Sequence, residues 1–134
     1  MIELTNSVAQ VVQPGQSVAF DTVVLHTGCG ECYRRNTPSI KLRANGIYEV
    51  AFSGNITGTT AATPIQLAIA LGGIALPETV MVSTPATANA FSNVATSTFV
   101  QNTCGDYDRV TVVNSGTESV TISANMKFSV RRLS

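Results

Sequence analysis

A turn followed by an alternating strand, at residues 45–56, constrains the fold more than any other stretch. Asn45 and Gly46 tolerate positive φ at little cost, so the pair indicates a turn. Alternate residues then separate into an apolar set and a mostly small or polar set. The apolar set is Tyr48, Val50, Phe52 and Ile56, and the other set is Glu49, Ala51, Ser53 and Asn55. This period of two predicts a central strand with one face in a core. The second face is suited to meet another protein surface.

The rest of the chain repeats short alternating runs separated by turn residues, and no segment has a helical period. Predicted strands cover residues 7–12, 18–26, 40–43, 65–71, 78–83, 90–100, 109–114 and 119–131. We expect the strand 40–43 to pair with the central strand through the turn at Asn45 and Gly46. Roughly eight to ten short strands predict an all-β sandwich or barrel, formed as a single domain over residues 1–134.

Six aromatic side chains are expected to pack the core or a contact between copies of the chain. They are Phe20, Tyr48, Phe52, Phe91, Phe99 and Phe128. Phe91 and Phe99 anchor the predicted strand 90–100, whose other residues are small. Phe128 lies on a long apolar face of the C-terminal run.

The composition restricts the classes of partner. Charged residues make up 12% of the chain, about half the average for a soluble domain, and the formal net charge is zero. We therefore expect no nucleic-acid or membrane partner. The chain opens without a signal-peptide pattern and has no membrane-spanning apolar run, which predicts synthesis in the cytoplasm as a soluble protein.

Several predicted strands carry two uncharged faces, although a lone sandwich needs only one apolar face per strand. Residues 18–25, 48–56 and 90–100 have this property. Surplus uncharged faces predict burial between subunits. The alternative is a monomer with an unusually neutral surface rich in serine and threonine.

Three of the predicted strands, with their flanking turns, resemble sequences of a known family. Residues 18–25, 45–52 and 65–73 look like the complement globular-head branch of the tumour necrosis factor-like jelly rolls, and Gly105-Asp106 before Val110 is similar to a further motif of that family. The nearest likeness is to the C-terminal heads of bacterial collagen-like spore-surface glycoproteins and to short phage-encoded relatives. The resemblance implies a ten-stranded jelly-roll sandwich that assembles as a homotrimer. Two departures are the missing Gly-X-Y stalk and the low aromatic content.

The three cysteines and the single histidine form the main candidate metal site. His26, Cys29 and Cys32 lie close together in the sequence, and Cys104 lies far downstream. Thiolates and an imidazole complete a tetrahedral structural zinc site where they converge. One disulfide, thiols that simply pack, and a disulfide between subunits remain alternatives.

Other chemistry has little support in the sequence. Asp106 and Asp108 are a weak candidate calcium pair, which ordinary turn chemistry also explains. No motif of a serine hydrolase, a phosphate-binding loop or a zinc protease is present, and with one histidine a metal-dependent hydrolase is the least favoured function.

The sequence therefore predicts a protein without enzymatic activity. The favoured function is a structural knob on a phage virion or a bacterial spore, whose partners are its own copies and other surface proteins of that particle. The alternative is a receptor- or glycan-binding head of a fibre. Such a head would use exposed aromatic rings, and Tyr33 and Tyr107 are the two candidates.

Overall fold

A computed structural model describes residues 1–27, 31–33, 38–43, 45–102 and 108–133, with residues 31–33 and 108 described by their backbone alone. Within these residues the chain forms thirteen β-strands and one 3-10 turn, Pro77–Thr79. The strands are β1 (Ile2–Thr5), β2 (Gln10–Val12), β3 (Thr22–His26), β4 (Glu31–Tyr33), β5 (Ile40–Leu42), β6 (Gly46–Thr57), β7 (Ile65–Leu71), β8 (Ile74–Ala75), β9 (Met81–Ser83), β10 (Ser92–Asn102), β11 (Asp108–Val113), β12 (Val120–Ile122) and β13 (Lys127–Arg132). No helix in the described part of the chain is long and apolar enough to cross a membrane.

The strands form two antiparallel sheets. In sheet A, which has seven strands, β10 pairs with one edge of β6 and both β12 and β13 pair with the other edge. Strands β1 and β3 continue the sheet beyond β13, and β2 continues it beyond β12. Sheet B has six strands in the order β4, β5, β11 and β7, with β8 and β9 also paired with β7. The fold is a β-sandwich whose core lies between the two sheets.

Strand β6 is the central strand of sheet A, as the alternating pattern predicts, but its expected hairpin with β5 is wrong. Both edges of β6 are occupied by other strands, and β5 pairs with β4 and β11 in sheet B. Asn45 does adopt a positive φ of 59°. Its turn carries the chain from one sheet to the other, and across the corner the Tyr48 hydroxyl donates to the Arg43 carbonyl at 3.0 Å.

The core contains the inward-facing side chains of both sheets. Its largest fully buried members are Tyr48, Phe20, Phe52 and Phe128. The Phe20 and Phe128 rings stack with centroids 5.2 Å apart. Aliphatic side chains of β7 and β11 cover them from sheet B. Burial of alternate residues along β6 and β13 explains why these runs form strands rather than helices.

Two N-terminal strands have different boundaries from those predicted. Residues Ile2–Thr5 form β1, which the sequence pattern missed, and the strand expected at 7–12 begins only at Gln10. The strand expected at 18–26 begins at Thr22. Val18 and Phe20 are buried, but their segment joins the sandwich through an isolated bridge between Ser17 and Val113.

Side-chain hydrogen bonds and turns shorten two other predicted strands. At 78–83 the strand begins only at Met81, because the buried Thr79 hydroxyl accepts from the Ile69 amide at 2.9 Å and donates to the Leu76 carbonyl at 2.8 Å. The C-terminal run is divided into β12 and β13 by a turn in which Asn125 has a φ of 68°. This division and three strands absent from the prediction, β1, β4 and β8, bring the described chain to thirteen strands.

Candidate assembly surface

Strand β10 is an eleven-residue strand at the edge of sheet A. It pairs with β6 in unbroken register from Ser92 opposite Ile56 to Asn102 opposite Gly46. Among the described strands none pairs with its other edge. The backbone groups along that edge are therefore available to a partner.

The sequence of β10 lacks the devices that normally protect an exposed edge. Soluble proteins place lysine or other charges, proline or a bulge on edge strands, or make them very short. Strand β10 contains no charged residue and no proline, and its register has no bulge. An unprotected edge of this length indicates a surface that another chain covers.

Two aromatic rings lie beside this edge. Phe99 is on the outward face of β10, opposite Glu49 of β6, and 65% of its surface is exposed. Phe91 immediately precedes the strand and is 52% exposed. Neither ring packs in the core of the isolated chain, so only the second part of the expectation, packing between copies, remains open for them. Phe20, Tyr48, Phe52 and Phe128 do lie in the core.

The outward face of sheet A is a shallow concavity of about 510 Å³. Its floor consists of small side chains from three adjacent strands: Ala51 and Ser53 of β6, Ala95 and Ser97 of β10, and Ser129 of β13. Small side chains leave room above the strands, whereas Phe99 and Lys127 project beside them. We call this concavity, together with the free edge of β10, the assembly surface.

The charges beside the assembly surface are neutralised within the chain. Lys127 pairs with Glu3 at 3.1 Å, and Arg131 pairs with Glu49 at 3.3 Å. Exposed pairs of this kind add little stability. Their consequence here is that a second copy of the chain can approach this surface without repulsion between like charges.

The proposed zinc cluster falls largely outside the described residues. His26 ends β3 and pairs in register with Ile2. Cys32 lies on β4 in register with Lys41, but its side chain is not described, and Cys29 and Cys104 lie outside the described residues. Because neither Cys29 nor Cys104 is described, the zinc or disulfide cluster stays a prediction.

The described strands next in sequence to these cysteines begin at one end of sheet B. Glu31, the first residue of β4, and Asp108, the first residue of β11, both lie opposite Leu42, from the two edges of β5. Of the weak calcium pair, Asp106 is outside the described residues and Asp108 is described by its backbone alone, so that pair also stays a prediction.

No family model and no curated protein matches this sequence. Solved structures do match it across nearly its whole length. The Eiger TNF structure from S. frugiperda has a TM-score of 0.69 at 12% identity and covers 99% of this chain and 91% of its own. The globular domain of zebrafish complement 1qA has a TM-score of 0.67 at 12% identity, covering 98% of each chain. The PRD1 vertex protein P5 has a TM-score of 0.51 at 16% identity, covering 99% of this chain and 96% of its own.

Identities this low establish the fold alone. The two-sheet topology and these similarities together define an all-β jelly-roll fold. More particularly, the chain has the tumour necrosis factor-like form of that fold, which confirms the resemblance seen in its motifs.

Proposed function

We propose that this chain is a structural protein without enzymatic activity, which assembles as a homotrimeric jelly-roll knob on the surface of a phage virion. The observation that carries the proposal is the unprotected edge of β10 beside a neutral concavity of small side chains. A second copy of the chain is the occupant that best fits this surface.

The composition of the surface supports self-association. The floor residues are uncharged, and the flanking charges form ion pairs within each chain. The exposed Phe99 and Phe91 supply apolar area at the edge. In this arrangement the β10 edge and Phe99 of one chain pack against the concavity of the next chain.

Such a contact joins two different patches, so each chain offers one patch and receives the other. Contacts of this head-to-tail type close into a ring when the rotation between copies divides a full turn. The resemblance of the motifs to the tumour necrosis factor-like family implies that three copies complete the ring.

The virion location rests on two further considerations. The fold is similar to that of a vertex protein of the phage PRD1. The low charge of the chain suits a durable particle component that does not bind nucleic acid. Antibody labelling of intact particles tests the location, and label confined to particle interiors would contradict it.

The assembly is tested by placing one charge in the centre of the surface. Ser97 is exposed on β10, so Ser97→Glu should leave the fold of the single chain intact. Burying that carboxylate at three interfaces should convert the trimer to monomers in light scattering. The matched control is Ile74→Glu, because Ile74 is 73% exposed on sheet B. A trimer that survives Ser97→Glu, or dissociates equally with Ile74→Glu, would contradict the proposed surface.

A further inference from the structure

A second concavity, of about 510 Å³, lies on the outward face of sheet B. Its floor is formed by β11, whose outward residues Arg109, Thr111 and Val113 alternate with the fully buried Val110 and Val112. It lies on the opposite side of the sandwich from the concavity of sheet A. We call it the Arg109 groove.

The groove exists because β11 changes partners along one edge. Asp108–Val110 pair with β5, and further along Val112 and Val113 contact the segment around Ser17. The Val18 amide donates to the Val112 carbonyl at 2.7 Å, which holds that segment in place. Thr111 lies at the junction, and Ser17 and Ser39 also line the groove.

The opposite wall of the groove is a turn of two glycines. Gly72 and Gly73 join β7 to β8 with φ of 61° and 86°, values that favour glycine. The Gly72 amide donates to the Arg109 carbonyl at 2.8 Å, which holds the turn against β11. Without side chains this wall lets a ligand approach the backbone closely.

Arg109 is the charged group of the groove. Its Nη1 donates to the Ser39 hydroxyl at 3.2 Å, and no carboxylate pairs with it among the described residues. None of the described residues that line the groove is acidic. Since a guanidinium carries five N–H donors, most of them remain available to a ligand.

We propose that the Arg109 groove binds a carboxylated sugar. The planar guanidinium matches the two oxygens of a carboxylate, and the hydroxyls of Ser17 and Thr111, which line the groove, can both donate and accept hydrogen bonds, as the hydroxyls of a sugar require. The volume falls within the range of small-ligand sites. Nucleic acid is a poorer fit, because its affinity depends on several cations and Arg109 is the one cation among the described lining residues.

The site is independent of the proposed assembly. It lies on the face that the homotrimer leaves outside, and it is equally open in a single chain. If the groove does not bind a sugar, the proposal of a trimer is unaffected. If the chain is a monomer, the proposal of sugar binding is unaffected.

The test measures binding of sialyllactose and of lactose to the full chain by ligand-observed NMR. Sialyllactose, which carries a carboxylate, should bind, and lactose, which lacks it, should bind at least about tenfold more weakly. Arg109→Gln should weaken sialyllactose binding by about tenfold or more, and Arg109→Lys should restore only part of it because lysine lacks the planar fork. An unchanged melting temperature would establish that each variant is folded.

The matched control is Lys41→Gln. Lys41 lies opposite Arg109 in the register of β5 and β11, is exposed on the same sheet, and does not line the groove. Its loss should change sialyllactose binding by less than about twofold, since Lys41 does not line the groove and an exposed charge outside it is screened by solvent and salt. Equal losses in both variants, equal binding of lactose, or binding of an acidic peptide but not of sialyllactose would each overturn the proposal.

Discussion

The two sheets differ in the length of their edge strands, and therefore in how many backbone groups they offer to another chain. In sheet B the outer strands β4, β8 and β9 have three, two and three residues. In sheet A, β10 has eleven. Short edge strands offer few backbone groups to a passing chain, which is a common protection against unwanted pairing. The contrast supports the proposal that a second chain covers sheet A.

The outward faces of the two sheets differ in charge in a matching way. Sheet A pairs its flanking charges internally, through Glu3 with Lys127 and Glu49 with Arg131. On sheet B, the side-chain partner of Arg109 within the described part of the chain is the Ser39 hydroxyl. The first face suits contact with an identical copy, and the second suits an anionic ligand.

The largest expected effect is a difference in the free energy of unfolding between substitutions on the inner and outer faces of β13. Phe128 is fully buried against Phe20, so Phe128→Ala should lower the free energy of unfolding by about 3–5 kcal/mol. Ser129 faces outward, and Ser129→Ala should change it by less than about 0.5 kcal/mol. Urea denaturation in the Ser97→Glu background excludes any contribution from assembly. A loss below about 1 kcal/mol for Phe128→Ala would contradict the assignment of the inner face.

The next largest effect is on the dissociation constant of the assembly, and it compares the most exposed apolar strand residue of sheet A with that of sheet B. Phe99→Ala should raise the dissociation constant of the assembly by roughly ten- to a hundredfold, because an aromatic ring would no longer be buried between chains. Ile74→Ala, on sheet B, should leave the constant unchanged. Sedimentation over a concentration series measures both. If the two substitutions have the same effect, the assignment of sheet A as the assembly side is wrong.

The smallest expected effect is a pH-dependent change in stability at the edge of sheet A opposite to β10. Asp21, just before β3, accepts hydrogen bonds from the Ser7 and Thr22 hydroxyls and from the Ser7 amide, and these lower the pKa of its carboxyl. Because folding lowers this pKa, the ionised carboxylate stabilises the fold above the unfolded pKa of about 3.9, and this contribution is lost as the pH falls through the folded pKa.

Side-chain NMR titration of Asp21 measures this effect. Ser7→Ala should move the pKa of Asp21 back toward its ordinary value, since the largest cause of the shift is removed. Asp21→Asn should remove the associated loss of stability in acid. An Asp21 pKa that Ser7→Ala leaves unchanged would show that this edge is not held by the Ser7 hydrogen bonds.

Local patterns were sufficient to predict much of the fold. The alternation in β6, β7 and β11 predicts strands close to their observed bounds, because their inward positions are apolar. A turn before β6 marks where that strand begins, and a turn before β8 marks where β7 ends. Pairing was less predictable. A turn at Asn45 looks the same in sequence whether it closes a hairpin or joins two sheets, because the difference depends on which strands already occupy β6.

The two candidate sites were predictable to different degrees. The small second face of β6 and the uncharged run before Val100 both indicate a contact surface in the sequence. The position of Phe99 on the outside did not follow, because large aromatic residues usually indicate a core. The Arg109 groove has no local pattern at all: Ser17, Ser39 and Arg109 are far apart in the chain and meet only through the register of β11.

The mass of the wild-type chain in solution tests the central claim most directly. Light scattering or native mass spectrometry at micromolar concentration should give three times the chain mass of 14.0 kDa. A different multiple would contradict the trimer while retaining self-association. A mass of 14.0 kDa would contradict the assembly surface itself, and the long uncharged edge of β10 would then be an exposed edge in a stable monomer.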